Sequence, residues 1–360
     1  MELGLFSLMP HRDLSRPPKA IYDETVALVR DADQGGFDVA WFAEHHFGNY
    51  CMCPSPLMMA AHCAGLTQRI RLGTAVLVLP LYHPMRVIQE LGMVDMLSNG
   101  RLVIGLGSGY QTYEFDRFGV KLAENWAMTH EFMDILEMGL ETGSIAYDGT
   151  YYKVPETHVG VRMLQKKPRV FVAGNEAAYL ERAARKGYTP IVTVGSQPIE
   201  AILRVKEHVA GHFAKAGWKD ENFPFGMQRS VFVTDDRTEA LFAAEQSLYT
   251  ARLVMAFRGG YEKVNGYEIV PQPFDGEPSP EQIAGILPMG DVETCAERIA
   301  AEITAVRPSH YSLFLQYGSI DGTRARRSLE RLIGEVLPLV DKAVGGLKQF
   351  GPGSMVAAAR

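Results

Sequence analysis

Short apolar segments alternate with longer amphipathic segments along most of this chain, and no other feature restricts the possible folds as much. The apolar segments have the length of buried strands, and the segments between them repeat apolar residues with a helical period. The strands predicted from this pattern lie at residues 3–8, 37–43, 70–79, 101–106, 169–173, 189–194, 227–233 and 309–315. Alternating strands and helices form a parallel sheet, and eight such units in 360 residues favour an α/β fold that closes into a (β/α)8 TIM barrel.

The alternation is interrupted twice, after the fourth and after the seventh predicted strand. Residues 143–168 contain an Asp-Gly turn between strand-like segments, which predicts a hairpin outside the main sheet. Residues 257–290 are rich in Gly and Pro without a clear period, and loops of this length in a compact domain usually serve a function. We therefore expect a candidate lid there, within one barrel domain over residues 1–344, followed by a flexible C-terminal tail over residues 345–360.

Composition narrows the class of protein. A net charge of −6 is unlike the basic face that nucleic-acid binding requires. The chain has no run of 18 apolar residues, so we expect no membrane span. Four cysteines in 360 residues do not form a disulfide framework, and the N-terminal sequence lacks the pattern of a signal peptide. These features predict a cytoplasmic protein that binds neither nucleic acid nor membranes.

A titratable cluster ends the second predicted strand, where Glu44, His45 and His46 follow an apolar run. In α/β barrels, the carboxyl ends of the strands surround the ligand site. A single histidine there would more often be a packed core residue, but an acid beside two histidines is a candidate acid–base group. Because neighbouring residues on a strand point to opposite sides, we expect His45 and His46 to have different surroundings.

Three turns rich in small residues follow other strands. Residues 105–110 have the spacing Gly-x-Gly-x-Gly, which differs from the dinucleotide-binding fingerprint of a Rossmann fold. Glycines at a strand end still allow a flat or anionic ligand to approach the backbone. The turn at 172–178 precedes a helix for which Asn175 is a candidate N-cap, and helix N-termini bind anions. With the turn at 193–196, these segments are candidate ligand contacts, although each is also compatible with a simple tight turn.

Several motifs together point to one family. They are Glu44-His45-His46-Phe47, Gly73-Thr74-Ala75-Val76-Leu77-Val78-Leu79-Pro80, His83-Pro84, Asp95-Met96-Leu97-Ser98-Asn99-Gly100-Arg101, Gly105-Leu106-Gly107-Ser108-Gly109-Tyr110 and Glu114-Phe115-Asp116-Arg117-Phe118-Gly119. In these motifs the chain resembles the bacterial luciferase-like, flavin-dependent monooxygenases. The resemblance is densest over residues 35–120 and continues more loosely through 169–194 and 288–340.

The resemblance implies a two-component monooxygenase. A separate NAD(P)H-dependent flavin reductase would supply reduced FMN, and O2 would react with it to a flavin C4a-peroxide that oxygenates a small, largely apolar organic substrate. The histidine that is catalytic in the family corresponds to His45. The family also implies a homodimer formed through the second and third helices, and a cis peptide bond expected here at Thr74-Ala75.

By the same resemblance, the contacts to FMN fall on the strand ends that carry small residues. The candidate FMN contacts are Thr74, Ala75, Gly107, Ser108, Gly109, Tyr110, Ala173, Gly174, Asn175, Val194 and Gly195. The loops above the flavin are largely apolar, and the candidate residues of the substrate pocket are His46, Cys51, Tyr82 and His11. No metal ligands are expected.

Two positions depart from the family pattern. Relatives often have a basic residue directly after the glycine at position 107, where this chain has Ser108, and an arginine within 125–128, where it has Trp126. Both positions help to hold the flavin phosphate in relatives. We therefore expect weak or altered phosphate binding, through Ser108, the helix start at Gly174 and Asn175, or a residue that the sequence does not identify. A cysteine near the flavin of luciferases corresponds to Gly107, so the sequence does not predict bioluminescence.

Three alternatives remain open from the sequence. A deazaflavin-dependent oxidoreductase would use the same barrel and similar glycine turns. A metal-dependent barrel hydrolase would use His45, His46, Cys51, Cys53 and His62, but a Cys-x-Cys pair beside two histidines does not match a standard zinc spacing. A non-catalytic flavin-binding relative is disfavoured by the presence of His45.

Overall fold

Eight parallel strands close into a barrel in chain order, with the last strand paired to the first. The structure is a computed structural model that describes residues 1–219, 223–259 and 263–350. The barrel strands are β1 (Glu2–Ser7), β2 (Val39–Phe42), β3 (Arg71–Thr74), β4 (Leu102–Gly107), β5 (Val170–Ala173), β6 (Thr189–Thr193), β7 (Gly226–Ser230) and β8 (His310–Phe314). The prediction of an α/β TIM barrel is therefore confirmed.

Helices cover the outside of the barrel, and α1, α2 and α3 each begin at a proline, which fits the first turn of a helix. The helices are α1 (Pro18–Gln34), α2 (Pro56–Ala64), α3 (Pro84–Leu97), α4 (Thr112–Phe118), α5 (Asn125–Glu141), α6 (Ala177–Lys186), α7 (Ile199–Lys215), α8 (Arg237–Gly259), α9 (Pro280–Ile286), α10 (Val292–Val306), α11 (Gly322–Arg331) and α12 (Leu337–Ala343). Between α11 and α12 the chain forms a π-helical turn at Leu332–Val336. The pattern did not predict α4, which is short and directly follows the glycine turn after β4.

The third predicted strand is divided in two. Regular pairing ends at Thr74, and a second short strand, Leu77–Val78, pairs with β4 further along. The cis peptide bond lies between Ala75 and Val76. Its expected position at Thr74-Ala75 is wrong by one residue, because Thr74 still belongs to the sheet, where its hydroxyl bonds to the backbone of Gly105 on β4.

Aromatic side chains fill the inside of the barrel. The Trp41 indole lies 4.8 Å from the Phe171 ring and donates a hydrogen bond of 2.8 Å from Nε1 to His310 Nε2. Gly73 leaves room for this packing, because a Cβ atom there would lie 2.3 Å from the indole. With its interior packed, the barrel can take a ligand only at its ends, and the carboxyl ends of the strands form the mouth.

The first insertion is an antiparallel hairpin of Ser144–Asp148 and Lys153–His158, as expected. The second insertion is not the structureless loop that the composition indicated. Its described part contains a hairpin of Lys263–Asn265 and Glu268–Val270, followed by α9. Strands of three residues are too short to produce a readable period. The hairpin is held to the loop after His46, since Ile269 N–H donates to Asn49 Oδ1 at 2.8 Å.

The end of the described chain packs on the barrel domain. Residues Leu347–Phe350 form a 3-10 turn, and the side chain of Phe350 is buried beside Arg307. Residues 351–360, which hold most of the expected tail, lie outside the described residues, so the division into domain and tail stays a prediction. Among the described residues, no helix has the length and hydropathy needed to cross a membrane.

Candidate functional site

His45 lies at the mouth, just beyond the end of β2, in a largely buried position. Its ring packs against Tyr50, with ring centres 4.8 Å apart, and against Tyr110, at 5.9 Å. The His45 side chain keeps 15% of its surface exposed. Within the described part of the chain, no residue forms a hydrogen bond to Nε2 of this ring, so that nitrogen is available for proton transfer.

The other ring nitrogen of His45 is held by a buried acid. Glu114, on α4, places Oε1 at 3.0 Å from His45 Nδ1, and the same oxygen accepts the backbone N–H of His46 at 2.7 Å. Only 1% of the Glu114 side chain is exposed. The Gln111 amide nitrogen lies 2.9 Å from Nδ1 as well. The Gln111 amide nitrogen can only donate, so it competes with the carboxylate for Nδ1. Because a charged acceptor forms the stronger hydrogen bond, the tautomer with the proton on Nδ1 is favoured, and the lone pair is left on Nε2.

Glu44 and His46 form a second, separate pair. His46 Nε2 lies 3.0 Å from Glu44 Oε1, and the ring of His46 packs against Phe118 at 4.8 Å. Glu44 also accepts the N–H of Val78 at 3.2 Å and a hydrogen bond from Tyr82. Burial raises the pKa of Glu44, although these hydrogen bonds oppose the change. The two histidines thus have different surroundings, as expected, and Glu44 links the end of β2 to the cis peptide region.

The glycine turn after β4 is rigidly packed. A Cβ atom at Gly107 would lie 2.6 Å from Val76 Cγ2, and Gly109 has a φ of +74°, which favours glycine. Ser108 is buried, and its hydroxyl donates to the carbonyl of Gly109 at 3.4 Å. The Asn125 amide, at the start of α5, donates to that same carbonyl at 3.1 Å. Close backbone packing therefore brings this turn against the end of β3.

The mouth is open beside β5 and β6. Gly174 and Thr193 are exposed even though they lie at the ends of barrel strands, and Asn175 and Gly195 are exposed with them. Asn175 is not the N-cap of α6, contrary to the expectation. Glu176 has this role, because its carboxylate accepts the N–H of Tyr179 at 2.7 Å.

The strand ends fit the ring system of a flavin. Ala75 and Val76 on one side and Ala173 and Gly174 on the other are partly or fully exposed small residues at the mouth, above the packed barrel interior. A flat aromatic ring can approach the backbone where side chains are this small. Four of the candidate contacts are buried, namely Thr74, Gly107, Ser108 and Val194. Thr74 is fully buried, and its hydroxyl is bound within the sheet.

The candidate substrate residues do not form one surface. Tyr82 and His46 share Glu44 as a partner. Cys51 is buried, and burial raises the pKa of its thiol well above the ordinary value. His11 is buried as well, with Nε2 at 2.9 Å from the carbonyl of Arg16 and Nδ1 at 3.3 Å from the Tyr267 hydroxyl. These contacts give His11 a role in holding its turn to the hairpin of the second insertion.

Three residues of the site were not identified from the sequence: Glu114, Gln111 and Tyr50. Glu114 lies in a motif that helped to identify the family, so the sequence could have pointed to this acid as a site residue. Gln111 and Tyr50 gave no comparable signal, since their contacts with His45 depend on the fold. Among the described residues, no group of three or more His, Cys, Asp or Glu side chains is arranged to hold a metal ion.

Comparisons with known sequences identify the family of the chain. Residues 1–307 match the family model for luciferase-like monooxygenases. Protein y4vJ of Sinorhizobium fredii is 34% identical over 347 residues, which is 96% of this chain and 99% of that protein. The oxygenase component of the flavin-dependent trigonelline monooxygenase of Acinetobacter baylyi is 28% identical, over 94% of this chain and 95% of that protein.

Solved structures share the fold. Monooxygenase RslO1 from Streptomyces bottropensis superposes with a TM-score of 0.80 at 22% identity, covering 94% of this chain and 99% of that one. The oxygenating constituent of 3,6-diketocamphane monooxygenase from Pseudomonas putida, in complex with FMN, gives 0.75 at 20% identity, covering 94% and 98%. The coenzyme F420 dependent tetrahydromethanopterin reductase from Methanopyrus kandleri gives 0.70 at 17% identity, with the same coverage.

The family match covers most of the chain, and the relative from Sinorhizobium fredii extends over nearly all of it. The described fold is the barrel of this family, and its mouth carries the histidine and the glycine turn by which the sequence resembles it. The chain is therefore an oxidoreductase that belongs to the luciferase-like, flavin-dependent monooxygenase family.

Proposed function

We propose that the chain is the oxygenase component of a two-component monooxygenase that receives reduced FMN from an NAD(P)H-dependent flavin reductase. It uses O2 to oxygenate a small, largely apolar organic substrate, and His45 is its catalytic residue. The observation that carries the proposal is the pair of His45 and Glu114, with a free Nε2, beside strand ends of small residues at the mouth.

Bound reduced FMN would supply the electrons and the reactive position for O2. The role of the protein is to bind the flavin ring, to exclude water from it and to move protons. The proposed contacts to the ring are the candidate residues other than the buried Thr74, namely Ala75, Gly107, Ser108, Gly109, Tyr110, Ala173, Gly174, Asn175, Val194 and Gly195. Thr74 supports them from within the sheet. His45 Nε2 accepts a proton and returns it, while Glu114 stabilises the imidazolium that forms in between. Tyr50 and Tyr110 pack on the imidazole and limit the access of water to it.

The direct test is an anaerobic titration with reduced FMN, followed by rapid mixing with O2 in a stopped-flow spectrophotometer. We expect saturable binding, and then a spectral species that differs from both reduced and oxidised FMN. Oxidation of the bound flavin at the rate of free flavin, with no such species, would contradict the proposal. A screen of apolar and aromatic compounds under oxygen-18 gas then identifies the substrate by the mass of its product.

The same titration distinguishes the deazaflavin alternative, which the fold allows because a coenzyme F420 dependent enzyme has the same barrel. Reduced coenzyme F420 is the second ligand of the titration. Tighter binding of F420 than of FMN, with hydride transfer and no use of O2, would assign the chain to the alternative.

We also propose a homodimer in the cytoplasm that buries an apolar face of α2 and α3. This face, defined by Met58, Met93, Met96 and Leu97, is strongly exposed, with 74% of the surface of Met58 accessible. Exposed patches of this kind mark interaction sites in proteins of this size. Solution scattering of the wild-type protein should give twice the mass of one chain. The Met93→Glu variant should give the mass of a single chain. A wild-type monomer would contradict the proposed dimer.

A further inference from the structure

The sequence leaves open what holds the flavin phosphate, and the structure shows that the first candidate is already engaged. The Ser108 hydroxyl is buried and donates to the backbone carbonyl of Gly109. Asn125, which begins α5, uses its amide on the carbonyls of Ser108 and Gly109. These groups stabilise the turn itself. Presenting them to a phosphate would require breaking hydrogen bonds within the turn and between the turn and the start of α5.

The second candidate, the start of α6, carries a negative charge. Glu176 is the N-cap, and its Oε2 accepts the N–H of Tyr179 at 2.7 Å. An anion at a helix N-terminus would use this donor and its neighbours. The Glu176 carboxylate already occupies the N–H of Tyr179, and its negative charge lies beside the other N–H groups of the first turn of α6. Charge at this position stabilises the helix through its dipole, so the cap is favourable without any ligand.

Two of the three cations on the same helix pair with other acids, and the third, Arg185, lies in the last turn, away from the helix start. Arg182 donates to Glu137 at 2.8 Å and lies 2.8 Å from Asp134, and Lys186 pairs with Glu137 at 2.9 Å. His130 is the group that faces Glu176, with Nε2 at 3.3 Å from Oε2. Within the described residues, Glu176 thus meets one imidazole, and the first turn of α6 contains neither Lys nor Arg.

Trp126 closes the side of this site. It packs against Tyr179 with ring centres 5.1 Å apart, and a Cβ atom at Gly174 would lie 2.6 Å from the indole. The position at which relatives often have an arginine therefore holds an apolar wall over the helix start. The wall suits the edge of an aromatic ring and offers no countercharge to a phosphate.

We propose that this chain recognises reduced flavin through its ring system and not through its phosphate, so that it accepts riboflavin about as well as FMN. The proposal rests on the proposed function, because it concerns the same flavin. A phosphate dianion near the start of α6 would be repelled by Glu176, which offsets what the remaining helix amides contribute. The ring contacts at the mouth are common to both flavins, so the two affinities should be similar.

The test is the anaerobic dissociation constant of reduced FMN and of reduced riboflavin, measured on the whole chain by equilibrium ultrafiltration. We expect the two constants to agree within about threefold, since the helix amides and Glu176 act in opposite directions. A preference for FMN of more than about tenfold would overturn the proposal and leave the proposed function intact. Failure to bind either flavin would overturn both.

Glu176→Gln tests the cause. The glutamine keeps an oxygen that can cap Tyr179 N–H but removes the charge, so FMN binding should tighten about threefold to tenfold while riboflavin binding stays the same. Glu181→Gln is the matched control, because Glu181 lies on the same helix and pairs with Lys215 and His212. This control should change neither constant. An unchanged ratio of FMN to riboflavin affinity in Glu176→Gln would refute the role of the charge.

Discussion

Glu114→Gln isolates the contribution of a single charge to the proton-transfer site. Glutamine has nearly the same volume and can still accept the His46 N–H, so the buried position stays filled. It cannot provide the anionic partner at 3.0 Å from His45 Nδ1. A hydrogen bond to a charged group contributes about 1.5–3 kcal/mol, and about 1.4 kcal/mol corresponds to a tenfold change in rate. We therefore expect the rate of substrate oxygenation to fall about 10-fold to 100-fold.

The assay is single-turnover product formation with the substrate found in the oxygen-18 screen. If Glu114 acts through His45, then His45→Ala combined with Glu114→Gln should be no slower than His45→Ala alone. The dissociation constant of reduced FMN should stay within about twofold, because the change removes no ring contact.

The control variant Glu131→Gln distinguishes the loss of the charge at Glu114 from a general loss of stability caused by replacing a carboxylate. Glu131 is also a carboxylate that accepts backbone N–H groups, those of Thr150, Tyr151 and Tyr152 in the first insertion. Glu131→Gln should leave turnover unchanged. Multiplicative losses in the double variant, or a full rate in Glu114→Gln, would refute the reasoning that places Glu114 behind the imidazole.

Three further predictions concern other parts of the chain. His45→Ala should abolish or greatly slow oxygenation while the circular dichroism spectrum stays that of the wild type; full activity would remove the proposed role. Gly107→Val should weaken flavin binding and lower the melting temperature, because a Cβ atom there would lie 2.6 Å from Val76 Cγ2; an unchanged FMN dissociation constant would contradict the ring position. Burial alone would raise the pKa of Glu2, but the His310 imidazole, with Nδ1 at 3.7 Å from Oε2, and the hydrogen bond from Arg169 outweigh it and hold the pKa at about 2. Glu2 therefore stabilises the fold above its ordinary pKa of 4.5, and this contribution is lost as the pH falls towards 2. Glu2→Gln should lower the melting temperature by a few degrees at pH 7 and flatten its loss between about pH 4.5 and 2; parallel melting curves for both proteins would contradict this.

The barrel could be predicted because its signal is local. Strands such as β2 and β4 are apolar runs that are buried along their whole length, and helices such as α1 and α2 begin at a proline. The helix at Val292–Val306 lies before the last predicted strand, as the alternation of strands and helices requires, and it begins there because Asp291 caps it. The hairpin at 263–270 gave no such signal, since Ile269 is buried there while its neighbours on the three-residue strands stay largely exposed.

The site was less predictable because its contacts join distant parts of the chain. Glu114 lies 69 residues beyond His45, and no local rule relates the two. The N-cap of α6 shows that even a local feature could not be predicted to the exact residue. Asn175 and Glu176 can both accept a backbone N–H, and tertiary packing decides between them. Tyr179 donates its hydroxyl to the carbonyl of Leu106 at 2.9 Å, which fixes where the first turn of the helix lies.

The packing of Trp41, Phe171 and His310 across the barrel determines from which end of the barrel ligands can enter and leave. This layer blocks the passage from the amino-terminal end of the strands, where Glu2 and Arg169 lie. Under the proposed function, flavin and substrate would both enter and leave through the mouth at the carboxyl ends of the strands. A substrate bound above the proposed ring position would then block the departure of flavin, and the shape of the protein would require flavin to bind first and leave last.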